Sequence, residues 1–196
     1  IKTLNIKRFK LVLLLEGLLV GILAGLVIVG YRICLTNGAL WLQQILAYCK
    51  QSIFTIIIWF IILFVIALVV TKLLDWESLI SGSGIPQLEG ELAGKIDAKW
   101  WRVLIAKFFG GFLANFSGLA LGREGPSIQL GAMVGKGIGK VLKRGKTEER
   151  YLLTCGASAG LAAAFHAPLA GVMFALEEVH KHFSAPLLIS VMTSSI

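Results

Sequence analysis

The apolar stretches of this chain are unequal in length, and that inequality predicts two kinds of helix. Residues 11–31 carry a single ionisable side chain, Glu16, and residues 53–70 carry Thr55 as their only strongly polar one. Each is long enough as a helix to cross about 30 Å of hydrocarbon. In the second, each central Ile, Leu, Val or Phe favours insertion by roughly 0.3 to 0.6 kcal/mol, several kcal/mol in sum. Gly17, Gly21 and Gly25 recur on one face of the first, a spacing that lets another helix approach closely. Helical sequence continues to about Cys49, which predicts a long, tilted element. Residues 103–121 form a third span, although it contains Lys107.

The other apolar segments are shorter or smaller-grained. As a helix, residues 84–94 reach roughly 16 Å, half a bilayer. Residues 125–142 form a helix leading into a basic cluster. Residues 151–164 place Gly156, Gly160 and Ala164 on one face that must pack against protein, and residues 169–179 form another short helix. The prediction is an all-α polytopic membrane protein with tilted and discontinuous helices rather than an up-and-down bundle.

The interruptions are informative. Gly82-Ser83-Gly84-Ile85-Pro86 and Gly122-Arg123-Glu124-Gly125-Pro126 lie inside apolar sequence yet must break a helix. Irregular backbone at membrane depth is tolerated only where protein buries it or where it lines a polar cavity. A helix N-terminus offers unpaired N–H groups and about half a positive charge, an arrangement suited to an anion. Glycine lets the ligand approach the backbone, and proline in the first turn removes no needed hydrogen bond. The two breaks also share a layout: Pro86-Gln87-Leu88 in one, and Pro126 followed by Gln129-Leu130 in the other. A third break falls at Phe165-His166-Ala167-Pro168, where His166 reads as a hydrogen-bonding helix end.

Composition agrees with a membrane protein. Of 196 residues, 57% are hydrophobic and 15% charged, with a mean hydropathy of +0.82. The net charge of +8 lies between apolar spans rather than in an aromatic-interleaved patch, which excludes nucleic acid as a partner. Lys2, Lys7, Arg8 and Lys10 put the N-terminus in the cytoplasm. The run Lys136, Lys140, Lys143, Arg144, Lys146 and Arg150 reads as cytoplasmic too, while Trp100 and Trp101 read as interfacial anchors. Cys34, Cys49 and Cys155 lack metal-ligand spacing and read as free thiols. No cleavable signal peptide is evident, and a chain that starts at Ile1 and stops in an apolar run is expected to be a piece of a longer protein.

Several side chains admit two readings. The Ser83 hydroxyl either caps a helix or donates to an anion. Glu124 either pairs with Arg123 or competes with an anion for the helix N–H groups, leaving when protonated. Lys107 either aids anion entry electrostatically or snorkels to a partner. Glu177 and Glu178 are either a solvated helix end or a proton entry point. Glu177-x-x-His180 is half of a di-metal carboxylate motif. A metal-dependent intramembrane enzyme built on Glu177, His180 and His182 is the alternative from another class.

Ser81-Gly82-Ser83-Gly84-Ile85-Pro86, Gly122-Arg123-Glu124-Gly125-Pro126 and Ala167-Pro168-Leu169-Ala170-Gly171 through Glu177-Glu178 together resemble the CLC chloride channel and transporter family. The resemblance covers nearly the whole chain. It implies a homodimer in the cell (inner) membrane, each subunit built from two inverted halves, with residues 1–196 the first half. It implies chloride binding by Ser83, Gly84 and Ile85, with Gly122, Arg123, Gly125 and Pro126 as the backbone of a second anion loop. Glu124 is then the gate and external proton acceptor, and Glu178 the internal proton relay. Glu178 favours chloride/proton antiport over a channel of the same family, and Ser83 favours chloride over nitrate. Chloride, protons and the lipid bilayer are the implied partners, with no cofactor, no metal and no enzymatic activity. The family's second-half Gly-x-Phe-x-Pro loop and the tyrosine that completes the site are absent from these residues.

Overall fold

The computed structural model describes residues 2–50, 52–180 and 185–196, and the side chains among them other than those of 2–10, 179–180 and 185–186. The described residues form α-helices α1 (Lys2–Cys49), α2 (Ile53–Trp76), α3 (Ile85–Leu92), α4 (Trp100–Phe116), α5 (Glu124–Val141), α6 (Lys146–Phe165), α7 (Pro168–Phe174) and α8 (Ala185–Ser195). A 3-10 turn, Ser78–Ile80, precedes the first break, and a π-helical turn, Ala175–His180, follows α7.

α1 runs unbroken for 48 residues, roughly 72 Å at 1.5 Å per residue, so it exceeds a bilayer's thickness and must tilt or project from it. Leu11–Cys49 and Ile53–Trp76 are each long and apolar enough to cross a membrane. The outer side of α2 is a continuous apolar surface that includes exposed Phe54, Phe60, Phe64 and Ile61. Water would penalise such a face, whereas lipid accepts it. Gly17 and Gly21 do pack closely, against the backbone of Ser190 and Ser194 in α8. Gly25 departs from the expectation: it meets no neighbour and opens instead onto a cavity beside His166.

The core forms where α5 and α6 press together. A methyl added at Gly156 would run into the backbone of Gly131, and one at Gly160 into the backbone of Ser127. Small residues thus let the two backbones touch, and α5 is buried from Ser127 to Gly139. Leu152, Cys155, Val134 and Ala159 join Val20 and Ala24 of α1 in one apolar cluster. Cys34, Cys49 and Cys155 are free thiols.

Other boundaries shift for local reasons. α4 ends at Phe116 rather than 121, because Gly118 takes a left-handed φ of 93° just beyond it. The helix expected over 169–179 is α-helical only to Phe174 before it widens into the π turn. His166 does end α6, with Arg32 Nη1 2.6 Å from its Nε2 and donating to the carbonyl of Ala163. Trp101 stays at the surface with the Arg102 guanidinium over its ring, whereas Trp100 packs against Gly137 and is no free interfacial anchor.

Two charges of the basic cluster pair within the fold, one of them buried. Lys136 is fully buried and donates to Glu91, to Asp97 Oδ1 at 2.7 Å and to the carbonyl of Ala98 at 2.6 Å. Removing an ammonium from water is expensive unless partners surround it, and here three do. Arg144 donates to Glu16, the lone carboxylate of the first span, through Nε at 2.7 Å and also through Nη2.

Candidate functional site

The first break is a compact loop. Gly82 and Gly84 take left-handed φ values of 68° and 93°, which side chains rarely adopt, and Gly84 caps α3 with Pro86 in its first turn. A Cβ on Gly84 would strike the Gln129 side chain, so the loop lies directly on α5. The Ser83 hydroxyl accepts from the N–H of Ile85 at 3.4 Å, which leaves its own hydrogen to donate elsewhere. Both readings of Ser83 are therefore compatible with one geometry.

The second break follows α4 and its exposed connection. Arg123 caps α5, its carbonyl accepting from the N–H and hydroxyl of Ser127 at 3.1 and 2.7 Å. Arg123 is exposed, and among the described residues no ion pair joins it to Glu124. The Glu124 carboxylate instead curls back over Gly122, close enough that a Cβ there would meet its Oε2. The alternative of a permanent Arg123–Glu124 pair is overturned by this arrangement.

The two breaks touch. A methyl at Gly125 would collide with the backbone of Ser83. Between and beside them lies a cavity of about 510 Å³, walled by α2, α4 and both loops. Ser83, Lys107, Gly122, Glu124, Gly125 and Pro126 line it. Gly84 and Ile85 are not among the lining residues: Gly84 is buried under Gln129, and Ile85 packs against the apolar cluster that includes Leu88 and Ile128.

Lys107 fits neither expectation fully. Its ammonium is buried and neither snorkels outward nor pairs with a carboxylate, since it donates to the carbonyls of Ile80 and Gly82, both at 2.7 Å. It thus brings a positive charge to the cavity wall through the backbone of the first loop. Gln129 and Gln87 were not expected here: their amide nitrogens donate to the carbonyls of Leu79 and Ser81, both at 2.8 Å. The only hint in sequence is that each glutamine follows the proline of its own break at a short distance.

Glu178 and Glu177 lie elsewhere, exposed on the π turn, which packs against α3, α6 and α7 without lining the cavity. Among the described residues no group of three His, Cys, Asp or Glu side chains is placed to hold a metal ion. His182, and the side chain of His180, fall outside the described residues. Chemically, the cavity offers donors, glycine-flanked helix starts and one carboxylate able to exchange a proton.

Known proteins resemble this chain in sequence and in fold. Residues 63–196 match the family model of the voltage-gated chloride channels. The H(+)/Cl(-) exchange transporter ClcA of Yersinia pestis is 35% identical over 98% of this chain and 42% of its own length. The protein of the same name from Vibrio cholerae is 50% identical over 109 residues, 55% of this chain and 23% of that protein. A slow cyanobacterial Cl-/H+ antiporter superposes with a TM-score of 0.82 at 34% identity, covering 93% of this chain and 45% of that one. A CLC-type fluoride/proton antiporter gives a TM-score of 0.71 at 25% identity, over 94% of this chain and 45% of its own. The chain spans less than half the length of these two structures. It is an all-helical membrane protein, and it belongs to the voltage-gated chloride channel (CLC) family.

Proposed function

We propose that this chain is the first half of a chloride/proton antiporter, and that the cavity between the two breaks is part of its anion pathway. The observation that carries the reading is the contact between Ser83 and Gly125 beside a Glu124 carboxylate that forms no ion pair among the described residues. Ser83, Gly84 and Ile85 supply one helix start, and Gly122, Arg123, Gly125 and Pro126 supply the other. In a site shielded from water, the partial positive ends of α3 and α5 favour a halide far more than they would in solution.

Glu124 is the exchangeable element. Ionised, its carboxylate occupies the place of an anion; protonated, it loses that attraction and leaves. A proton thus enters the binding step itself, the requirement for coupling. The similar proteins named for chloride/proton exchange support chloride as the ion. Glu178 is the inner proton relay in this reading, and no cofactor takes part. The working protein is a homodimer of longer subunits, multi-pass in the cell membrane, with a cytoplasmic N-terminus.

A passive chloride channel is the second reading, favoured by the exposure of Glu178 away from the cavity. The test is proton movement in liposomes containing the full-length protein under an imposed chloride gradient. The antiporter predicts uphill proton flux that stops in Glu124→Gln while chloride still moves. Chloride current with no proton movement in the wild type would establish the channel instead.

A further inference from the structure

Backbone carbonyls are the principal hazard for an anion bound at a loop. Rings of such oxygens are what cation channels use to coordinate cations. The turn that leads into the first break would expose four in succession, yet every one from Leu79 to Gly82 is capped by a side-chain donor. Gln129 Nε2 takes Leu79 at 2.8 Å, Lys107 Nζ takes Ile80 and Gly82 at 2.7 Å each, and Gln87 Nε2 takes Ser81 at 2.8 Å. The donors come from three helices, α5, α4 and α3. Ile80, Ser81, Gly82 and Lys107 line the cavity, so three of the four capped carbonyls belong to residues of its wall; Leu79 is not a lining residue.

Two details separate this from ordinary loop packing. Gln129 is 2% exposed, and the oxygens of both amides are buried without a hydrogen-bond partner among the described residues. A buried amide that satisfies only its nitrogen gives up part of its hydrogen-bonding capacity. What each glutamine delivers here is the donor alone. A methionine would fill the same space without the stranded oxygen but would leave the carbonyl uncapped, so the carbonyl each amide serves, rather than packing, explains it.

We propose that Gln129, Lys107 and Gln87 are positioning residues that set the polarity of the first loop, capping each carbonyl from Leu79 to Gly82 so that it presents donors, not acceptors, to the transported anion. This rests on the transport reading above and extends it to side chains outside the two loops, among them one reaching across from the helix of the second loop. Capping by an ammonium also leaves net positive potential at the wall, where an uncapped carbonyl pair would be negative.

The test uses the full-length protein in liposomes, with chloride uptake measured against chloride concentration and permeability compared between chloride and potassium. Gln129→Met and Lys107→Met should each raise the half-saturating chloride concentration about tenfold. The saturated rate should change much less, and potassium should begin to permeate. Lys107→Arg, which keeps donors at that position, should fall between wild type and Lys107→Met. Should Gln129→Met not yield folded protein, the less buried Gln87→Met gives the same readout with a smaller shift. The proposal is overturned by a folded variant set in which half-saturation and selectivity stay at wild-type values, or in which only the maximal rate falls. A wild type that moves no chloride defeats the transport reading; a wild type that does, beside variants with unmoved half-saturation, defeats this inference alone.

Discussion

The two breaks of this chain are built from the same residue types and held in opposite ways. Around the first, residues 79–82, each carbonyl is tied to a side chain from another part of the fold or from α3, and Gly84 is pinned beneath Gln129. Around the second, Leu119 and Leu121 are exposed, the Glu124 carboxylate lies over Gly122, and among the described residues neither Arg123 nor Glu124 forms an ion pair. Glycine and proline alone therefore do not decide whether a break is a fixed wall or a moving part. The long-range partners decide it. A fixed wall beside a loosely held carboxylate is what proton-coupled displacement of an anion requires.

The sharpest way to break this contrast is at Glu124. In the full-length protein, Glu124→Gln should abolish proton coupling completely while chloride transport continues, as read by simultaneous pH and chloride electrodes. Coupling that survives would mean the loosely held carboxylate carries no proton. Next in size is Glu178→Gln, which should suppress proton flux with a lesser effect on chloride; unchanged proton flux would remove the π turn from the pathway.

A smaller effect compares the loops directly. Gly84→Ala imposes a side chain on a φ of 93° and pushes Gln129 aside, for a cost of about 1–3 kcal/mol. Gly122→Ala need only displace the end of the Glu124 side chain, so its cost should stay below about 1 kcal/mol. Thermal unfolding of the two variants in detergent ranks them, and a larger loss at Gly122 would reverse the contrast.

The smallest effect lies at a control position outside both loops and the cavity. Lys136 holds the Asp97 carboxyl below the usual carboxylate range, chiefly through its hydrogen bond and then through its charge. A lowered folded pKa means that this ion pair stabilises the protein above the ordinary value of about 3.9 and is lost as pH falls through the lowered one. Asp97 is exposed, so solvent screens the pair. Asp97→Asn should reduce thermal stability slightly at neutral pH and not at all once the carboxyl is protonated. A deficit that persists in acid would assign the effect to something other than charge.

What the sequence revealed divides along the same line. Both breaks, the short helix after the first and the small-residue face of α6 were legible, because glycine, proline and helical spacing act within a few residues. The contact between Ser83 and Gly125 was not legible: the sequence shows two breaks of similar layout, and only the structure brings them together. The caps on the first loop were not legible, since Gln129 lies 50 residues from the carbonyl it serves and Lys107 lies 27 from Ile80. Nothing local distinguishes a lysine that reaches backbone from one that snorkels. Lys136 misled for a related reason: it heads a run of basic residues, yet Gly135 and Gly137 beside it mark a helix side pressed against protein. Glu178 remains where its position on a helix end suggests, exposed and apart from the cavity.

The central claim is that the two breaks jointly hold one anion in competition with Glu124. Bromide has anomalous scattering that locates it without ambiguity, so the direct measurement is diffraction from bromide-soaked crystals of full-length wild type and Glu124→Gln. The account predicts a bromide peak within hydrogen-bonding reach of Ser83 and the start of α5, with additional density in the variant where the carboxylate lay. Bromide bound away from both loops, or an identical pattern in the two proteins, would contradict it.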